Sequence, residues 1–271
     1  MVDQRTAAVE QVEATFMHRL VGGASPEVRA RFGVTAISLS GGVCLAMSRD
    51  PSGYWSKTLG LGITEPVDAD LVTEVLAFYE TCGGSSATIQ IAPAALPEDW
   101  GEIAEEHGLE RGHSWVKLAR DGSLAVSPGE TSLRVGRVDR ADVPEWAHVL
   151  LEGFGMSHEL DPVFAETVDD DLVQVAAWDG DQMVAAASVF IAGGAAQMSG
   201  AATLPTHRGA GAQSAMIALR LRIAQEAGVE VLSAETGVEA AGTHNASLHN
   251  LRRAGFADLY ERPNWIWRRR D

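Results

Sequence analysis

Apolar and polar positions in the second half of the chain change their spacing several times, and each change predicts one element. Small and apolar residues fill positions 195–204, as in a buried strand. Apolar positions then recur at helical spacing over 212–223, run together again at 229–234, and return to helical spacing at 245–254. With a last strand that contains tryptophan, this half predicts the order strand, helix, strand, helix, strand.

The first half repeats that order. A strand is predicted at 58–63, a helix at 68–81, a strand at 87–91, a helix at 97–107 and a strand around Trp115. The predicted helices of both halves stop at a glycine, the residue that most readily takes a left-handed conformation at a helix C-terminus. The repeated order predicts a duplicated fold whose two copies share little sequence.

The segment 121–131, DGSLAVSPGET, contains glycine, serine and proline without a helical period, so it is the best candidate for a linker. A length of 271 residues also favours two domains over one. We therefore expect one domain over residues 1–125 and a second over 131–271.

Charge and composition narrow the function. A formal net charge of −16 opposes binding to a phosphate polymer, which argues against a nucleic-acid partner, and it would attract a cationic amine. The chain has no apolar run of the roughly 20 residues needed to cross a bilayer, and its first residues lack a signal-peptide core. Cys44 and Cys82 are too few for a disulfide framework. We expect a cytoplasmic protein without a membrane partner, as a monomer or homodimer.

The most informative stretch is 201–224, AATLPTHRGAGAQSAMIALRLRIA. Pro205 ends the strand because it cannot donate to a sheet ladder, and a helix follows Gly211. The first N–H groups of a helix have no intrahelical partner and favour an anion, while glycines let the backbone approach phosphate oxygens and Arg208 adds a cationic fork. The loop is therefore either a pyrophosphate holder or a tight turn with a surface arginine.

The corresponding junction in the first half, 60–75, has no arginine and no such glycine pair. It carries Glu65, Asp68 and Asp70, which favour a helix start but repel an incoming pyrophosphate. We expect the first half to be a structural or substrate-shaping partner without a cofactor.

These residues resemble the GNAT N-acyltransferases. The acyl-CoA loop of that family has the pattern Gln/Arg-x-x-Gly-x-Gly/Ala, which RGAGA over 208–212 follows until Gln213 departs from it. An asparagine-led helix that closes in a Gly-Phe pair is a second family feature, matched by NASLHNLRRAGF over 245–256. The motifs lie within 131–271, and the first half is similar only in layout. The resemblance implies a mixed α/β fold of two tandem GNAT-like domains. Each would have a mostly antiparallel sheet flanked by helices, and the first domain would be degenerate.

The resemblance also implies a function and a site. The protein would transfer an acetyl or other short acyl group from acyl-CoA, such as acetyl-CoA, directly to a primary amine of a small molecule or peptide. The alternative is a catalytically weak acyl-CoA-binding or regulatory protein. The implied cofactor residues are Ala202, Thr203, Leu204, Arg208, Gly209, Ala210, Gly211, Ala212, Gln213, Ser214, Asn245, Ser247 and Asn250. Asn245 could equally be a helix N-cap.

The catalytic side is less complete. Glu235, at the end of a predicted strand, is the candidate base, and a backbone N–H near Thr203 or Leu204 would polarise the carbonyl. Family members often place a tyrosine where this chain has Leu251, which leaves the thiolate without that acid. The family places its acceptor pocket in the region that contains Glu152, His158 and Asp161 here.

Other chemistries find less support. The pattern Gly209-x-Gly211-x-x-Ser214 is half of a dinucleotide fingerprint, but only one further βα unit follows it. The eight histidines are scattered, and a spacing of five between His244 and His249 does not share one helix face, so no metal site is expected. A serine-hydrolase elbow is absent from the sequence.

Overall fold

The computed structural model describes residues 2–166 and 170–269. Within these ranges the helices are α1 (Gln4–Gly22), α2 (Pro26–Phe32), α3 (Ala69–Thr81), α4 (Trp100–Glu106), α5 (Val143–Phe154), α6 (Asp161–Ala165), α7 (Ala212–Glu226) and α8 (Ala246–Arg253). The strands are β1 (Val34–Leu39), β2 (Gly42–Met47), β3 (Lys57–Leu59), β4 (Ser86–Gln90), β5 (Glu110–Asp121), β6 (Arg134–Arg137), β7 (Leu172–Asp179), β8 (Gln182–Ala192), β9 (Ala195–Thr203), β10 (Val231–Gly237) and β11 (Ala257–Arg268). None of the described helices is long and apolar enough to cross a membrane.

The predicted elements are present, with shifts at their ends. Glycines follow α3, α4, α7 and α8 with positive φ angles, as the sequence predicted. The strand predicted at 58–63 is shorter, because Gly60 and Gly62 both have positive φ and turn the chain out of the sheet. The helix predicted at 97–107 begins only at Trp100.

All the described strands form one mixed, mostly antiparallel sheet in the order β1-β2-β3-β4-β11-β5-β10-β9-β8-β7-β6. Helices α1, α2, α5 and α6 share one hydrophobic core on one face of the sheet. On the other face, α7 and α8 cover the strands of the second half, and α3 and α4 cover those of the first. The mixed α/β fold class is confirmed, with one continuous sheet where the sequence suggested two.

The sheet is continuous because the two halves exchange their last strands. β11, from the end of the chain, pairs with β4 of the first half. β5, the last strand of the first half, pairs with β10 of the second. β5 and β11 also pair with each other, antiparallel, at the centre of the sheet. Each half therefore completes its sheet with a strand from the other.

Candidate functional site

A wedge opens in the sheet between the parallel strands β9 and β10. Their ladder runs from Ala195–Val231 to Met198–Ala234 and then ends. Beyond that point β10 continues along β5, while β9 continues along β8. A β-bulge places two residues of β9, Gly200 and Ala201, opposite a single residue of β8, and Gly200 has φ +47°. The bulge redirects β9 and leaves its edge toward β10 unpaired.

The chain from β9 reaches α7 through a short 3-10 turn and the predicted glycine loop. Gly209 and Gly211 have φ +84° and +79°, and Gly211 is the N-cap of α7. No side chain caps this helix, and its first backbone bond runs from the Ala215 N–H to the Gly211 carbonyl, 3.1 Å. The first N–H groups of α7 are therefore left for another acceptor, which is the arrangement expected of an anion site.

Arg208 lies exposed at the mouth of this loop. Its Nε donates to the Thr203 carbonyl at 3.3 Å, and one terminal nitrogen donates to the Gly153 carbonyl at 3.2 Å. The guanidinium thus joins the end of β9 to the end of α5. Because both bonds are long and exposed, the side chain can exchange them for a stronger charge-assisted partner.

The candidate residues of α8 face the start of α7. Asn250 donates through Nδ2 to Gln213 Oε1 at 2.7 Å, and Gln213 donates through Nε2 to Ser247 Oγ at 3.4 Å. Asn245 caps α8 by accepting from the Leu248 N–H at 3.1 Å. Its Nδ2 donates to the Gly237 carbonyl at 2.7 Å, which fixes α8 against the end of β10. The cap interpretation of Asn245 is confirmed, while its contact with a cofactor stays a prediction.

The first-half counterpart of this loop starts its helix with a side-chain cap. Asp68 caps α3 by accepting from the Leu71 N–H at 2.8 Å, so that helix start already has its anion. Gly60 and Leu61, directly after β3, are buried, while Gly62 and Ile63 are half-buried, like residues 199–201 of β9. The backbone is closely packed in both halves, because a Cβ added at Gly62 would lie 2.7 Å from the Ala95 side chain and one added at Gly211 would lie 2.1 Å from the Glu130 carbonyl oxygen. The two junctions therefore differ in the side-chain cap, which α3 has and α7 lacks.

Glu235 lies where the β9–β10 ladder ends, within a buried ionic group on the face covered by α1. The group consists of Glu10, Glu13, Lys117, Glu235 and Arg262, and we call it the central ionic group. Lys117 Nζ lies 3.1 Å from Glu235, and the Arg262 guanidinium binds Glu235 directly. Arg262 also binds Glu10 at 2.6 Å and Glu13 at 2.7 Å.

The pKa values of Glu13 and Glu235 are shifted in opposite directions. Burial raises the pKa of the Glu235 carboxyl, Arg262 opposes the rise, and the Glu13 carboxylate adds to it. Burial also acts to raise the pKa of Glu13, but Arg262 and Lys117 outweigh it and lower that pKa. Glu235 is therefore the carboxylate of this pair that takes a proton more readily.

Two details of the expected chemistry change. The Leu204 N–H donates to the Val184 carbonyl at 2.9 Å, so Leu204 cannot supply the N–H that polarises a substrate carbonyl, while Thr203, the other expected donor, stays a prediction. The reason is that β9 keeps its partner β8 up to this point, and only its edge toward β10 is unpaired. Leu251 is 5% exposed and packs in the core between α7, α8 and the sheet.

The helix-face argument about His244 and His249 is also wrong, because His244 precedes α8 and is not part of it. Their rings stack with centroids 4.5 Å apart, and His249 Nε2 lies 2.9 Å from Glu239. A second histidine pair, His148 and His158, stacks beside Asp161.

Sequence reasoning missed the central ionic group and the bulge. Glu10 and Glu13 stand three apart on α1, which gives them one helix face, but their partners lie about 100 and 250 residues away in the sequence. A single glycine in an apolar strand, Gly200, was the available signal for the bulge.

No family model matches the sequence, and no curated protein matches it. Solved structures do share its fold. A GCN5-related N-acetyltransferase from Kribbella flavida superposes with a TM-score of 0.64 at 20% identity, covering 96% of this chain and 95% of that one. A tandem GNAT protein from the clavulanic acid biosynthesis pathway superposes with a TM-score of 0.59 at 13% sequence identity, covering 100% of this chain and 98% of that one. A GCN5-related N-acetyltransferase from Sphaerobacter thermophilus superposes with a TM-score of 0.59 at 13% sequence identity, covering 87% of this chain and 76% of that one. The chain has the tandem fold of the GCN5-related N-acetyltransferases, as the sequence motifs predicted.

Proposed function

We propose that this protein is an N-acyltransferase that moves an acetyl or other short acyl group from acyl-CoA to a primary amine of a small molecule or peptide. The observation that carries the proposal is the open wedge between β9 and β10, followed directly by the uncapped N-terminus of α7. The first half has a helix capped by Asp68 at the corresponding place, which supports a single donor site in the domain at 131–271.

In this proposal the donor binds along β9 and over the start of α7. The backbone of 202–204 pairs with the amides of the pantetheine arm, and the loop from Arg208 to Ser214 holds the pyrophosphate. Asn245, Ser247 and Asn250 line the arm from α8. The glycine loop fits this role because its N–H groups and Arg208 are the donors that a pyrophosphate requires.

Acyl transfer requires a neutral amine nitrogen, so the ammonium of the acceptor must first lose its proton. Glu235 is the proposed base, acting directly or through water, because it lies at the opening of the wedge and its pKa is raised. The bulge at Gly200 supplies an unpaired strand edge whose N–H groups would polarise the carbonyl.

The direct test combines binding and turnover. The protein is incubated with acetyl-CoA, and its thermal shift is measured together with free-thiol release over a panel of amines. We expect stabilisation by acetyl-CoA, none by NAD, and thiol release with at least one amine.

We expect Arg208→Ala to weaken CoA binding about 10-fold or more, since a charge-assisted contact is lost, whereas Glu65→Gln in the first half leaves binding unchanged. Stabilisation by NAD alone, or equal effects of the two variants, would contradict the proposal.

A second candidate function is an acyl-CoA-binding protein with little or no turnover. The buried Leu251 favours it, because no acid stands there for the departing thiolate. The mutual bonding of Gln213, Ser247 and Asn250 also favours it, since these side chains are already occupied. Stabilisation by acetyl-CoA without thiol release from any amine would select this function.

A further inference from the structure

A cluster of histidines and carboxylates lies on the outer helices of the second half, apart from the central ionic group. His148 and Glu152 stand four residues apart on α5 and so share one helix face. The left-handed Gly155, with φ +68°, ends α5 and turns the chain back on itself. His158, in a short 3-10 helix, and Asp161, at the start of α6, thereby return to that face.

The two imidazoles face one carboxylate. His148 Nδ1 lies 3.1 Å from Asp161 Oδ2, and His158 Nδ1 lies 3.3 Å from Asp161 Oδ1. The rings are nearly parallel, at 18°, with centroids 4.0 Å apart. One ligand atom from each of the three residues lies within 4.8 Å of the others. Tetrahedral Zn²⁺, with bonds of about 2.0–2.1 Å, separates its ligand atoms by roughly 3.3 Å. To close around one ion, the two stacked rings would turn out of their near-parallel arrangement so that both Nδ1 atoms point at it.

The other nitrogen of His158 has the partner that metal-binding histidines usually have. Its Nε2 lies 2.9 Å from Glu152 Oε2, and this contact sets the proton on Nε2 and leaves Nδ1 as the ligand atom. A metal ion at His158 Nδ1 and His148 Nδ1 would take the place of the contacts that these two nitrogens now make with Asp161.

The site is also reachable. The side chains of His148, His158 and Asp161 are 56%, 38% and 28% exposed. Three protein ligands at a partly exposed site leave one position of a tetrahedral ion for water or a substrate atom. The site lies close to the wedge, because a Cβ added at Gly153, which follows Glu152, would lie 2.7 Å from the Ala202 side chain of β9.

The cluster of Glu239, His244 and His249 is less well prepared. Its rings stack at 4.5 Å, and His249 Nε2 lies 2.9 Å from Glu239 Oε2. That same oxygen already accepts from the Asn245 N–H at 2.6 Å, so a metal would compete with the start of α8. This cluster is a suitable internal control.

We propose that His148, His158 and Asp161 bind a divalent transition-metal ion of the Zn²⁺ type, with Glu152 orienting His158 from outside the coordination sphere. Nothing in this proposal depends on acyltransferase activity, so it stands or falls separately from the proposed function.

The full chain is first treated with EDTA and desalted to remove bound metal. It is then titrated with ZnCl₂, followed by calorimetry, and separately with CoCl₂, followed by visible absorption. We expect one ion per chain and the intense visible bands of tetrahedral Co²⁺. Glu152→Gln should weaken Zn²⁺ binding by about 10–100-fold. His158→Ala and Asp161→Asn should each abolish stoichiometric binding, and His249→Ala should leave it unchanged.

Because these side chains are at the surface, the variants should keep the metal-free melting temperature of the wild type, which checks their folding. Absence of stoichiometric binding to the wild type would overturn the proposal. So would loss of the site in His249→Ala with retention in His158→Ala, because the ion would then belong to the other cluster.

Discussion

Among single residues, the members of the central ionic group carry the largest electrostatic consequences. Lys117 and Arg262 are fully buried, and Glu10 is 1% exposed, so each charge has lost its water and depends on its partners. Tyr260 donates its hydroxyl to Glu10 at 2.7 Å and gives that carboxylate a neutral partner beside Arg262. Since these residues come from α1, β5, β10 and β11, the group fixes the register of the helix over the sheet centre.

Removing one carboxylate of this group should be costly. We expect Glu13→Gln to lower the free energy of unfolding by about 3 kcal/mol or more, because Lys117 and Arg262 lose a buried countercharge. Urea unfolding at neutral pH measures this, with the exposed Glu74→Gln of α3 as the control, expected within about 0.5 kcal/mol of wild type. Equal stability of the two variants would show that water reaches the group.

The pH dependence has a defined sign. The pKa of Glu13 is lowered in the folded state, so its contribution to stability is complete above the ordinary carboxyl pKa. That contribution is lost as the pH falls from there through the lowered value. Glu13→Gln should therefore flatten the acid side of the stability profile relative to wild type.

The proposed role of Glu235 as the base predicts a pH dependence of turnover. If it is the base, turnover should fall as the pH drops through a pKa above the usual range of a glutamate, since only the carboxylate accepts a proton. Glu235→Gln should lower kcat/KM by about 10²–10⁴-fold while acetyl-CoA binding persists. Glu230→Gln, at an exposed position just before β10, is the matched control. An unchanged rate in Glu235→Gln would leave Glu235 with a purely structural role.

At the scale of elements, α3 and α7 begin in contrasting ways. Asp68 supplies a carboxylate to the first, while Gly211 supplies no side chain to the second. The same order of strand, turn and helix thus leads to a capped helix N-terminus in the first half and an uncapped one in the second. The difference lies in a few residues next to each helix.

The two loop glycines should respond differently to alanine. Both need a positive φ, which costs an alanine about 1–2 kcal/mol. A Cβ at Gly211 would also lie 2.1 Å from the Glu130 carbonyl, whereas one at Gly209 meets nothing within 4 Å. We expect Gly211→Ala to lower the melting temperature clearly more than Gly209→Ala. Thermal unfolding of the two variants measures the difference, and a larger loss in Gly209→Ala would mean that the Glu130 carbonyl does not lie against Gly211.

At the scale of the whole molecule, the strand exchange makes the two halves interdependent. Without β5, β10 would present an unpaired edge, and without β4 and β5, β11 would lose both of its neighbours. Both halves also share α1, which packs on strands of each. The proposed domains 1–125 and 131–271 are therefore units of chain order that complete one another in space.

We expect neither half to fold alone. Expressed separately, 1–125 and 131–271 should give poorly dispersed NMR spectra or aggregate, because each lacks a central strand. Co-expressed, they should associate into a complex that co-purifies and melts cooperatively. A well-folded isolated 131–271 fragment would contradict this interdependence.

The sequence by itself determined the features that depend on neighbouring residues. Hydrophobic periodicity placed α3, β4 and α4 in the first half and β9, α7, β10 and α8 in the second, but not the elements from β6 to β8. Glycines marked helix ends, and the spacing of Arg208, Gly209 and Gly211 located the loop before α7. The acidic helix start at Asp68 could also be predicted, because helix capping and the repulsion of an anion both depend on residues within a single turn. Asn245 could be read as a cap for the same reason.

Only the tertiary structure decided how distant segments meet. Pairing of β11 with β4, the joining of Glu10 and Glu13 to Arg262, and the use of the Leu204 N–H by Val184 connect residues far apart in the chain. No local pattern encodes such pairs, since each depends on which strands become neighbours and which helix covers them. His148, His158 and Asp161 meet because the chain reverses at Gly155, so their chemistry, too, became visible only in three dimensions.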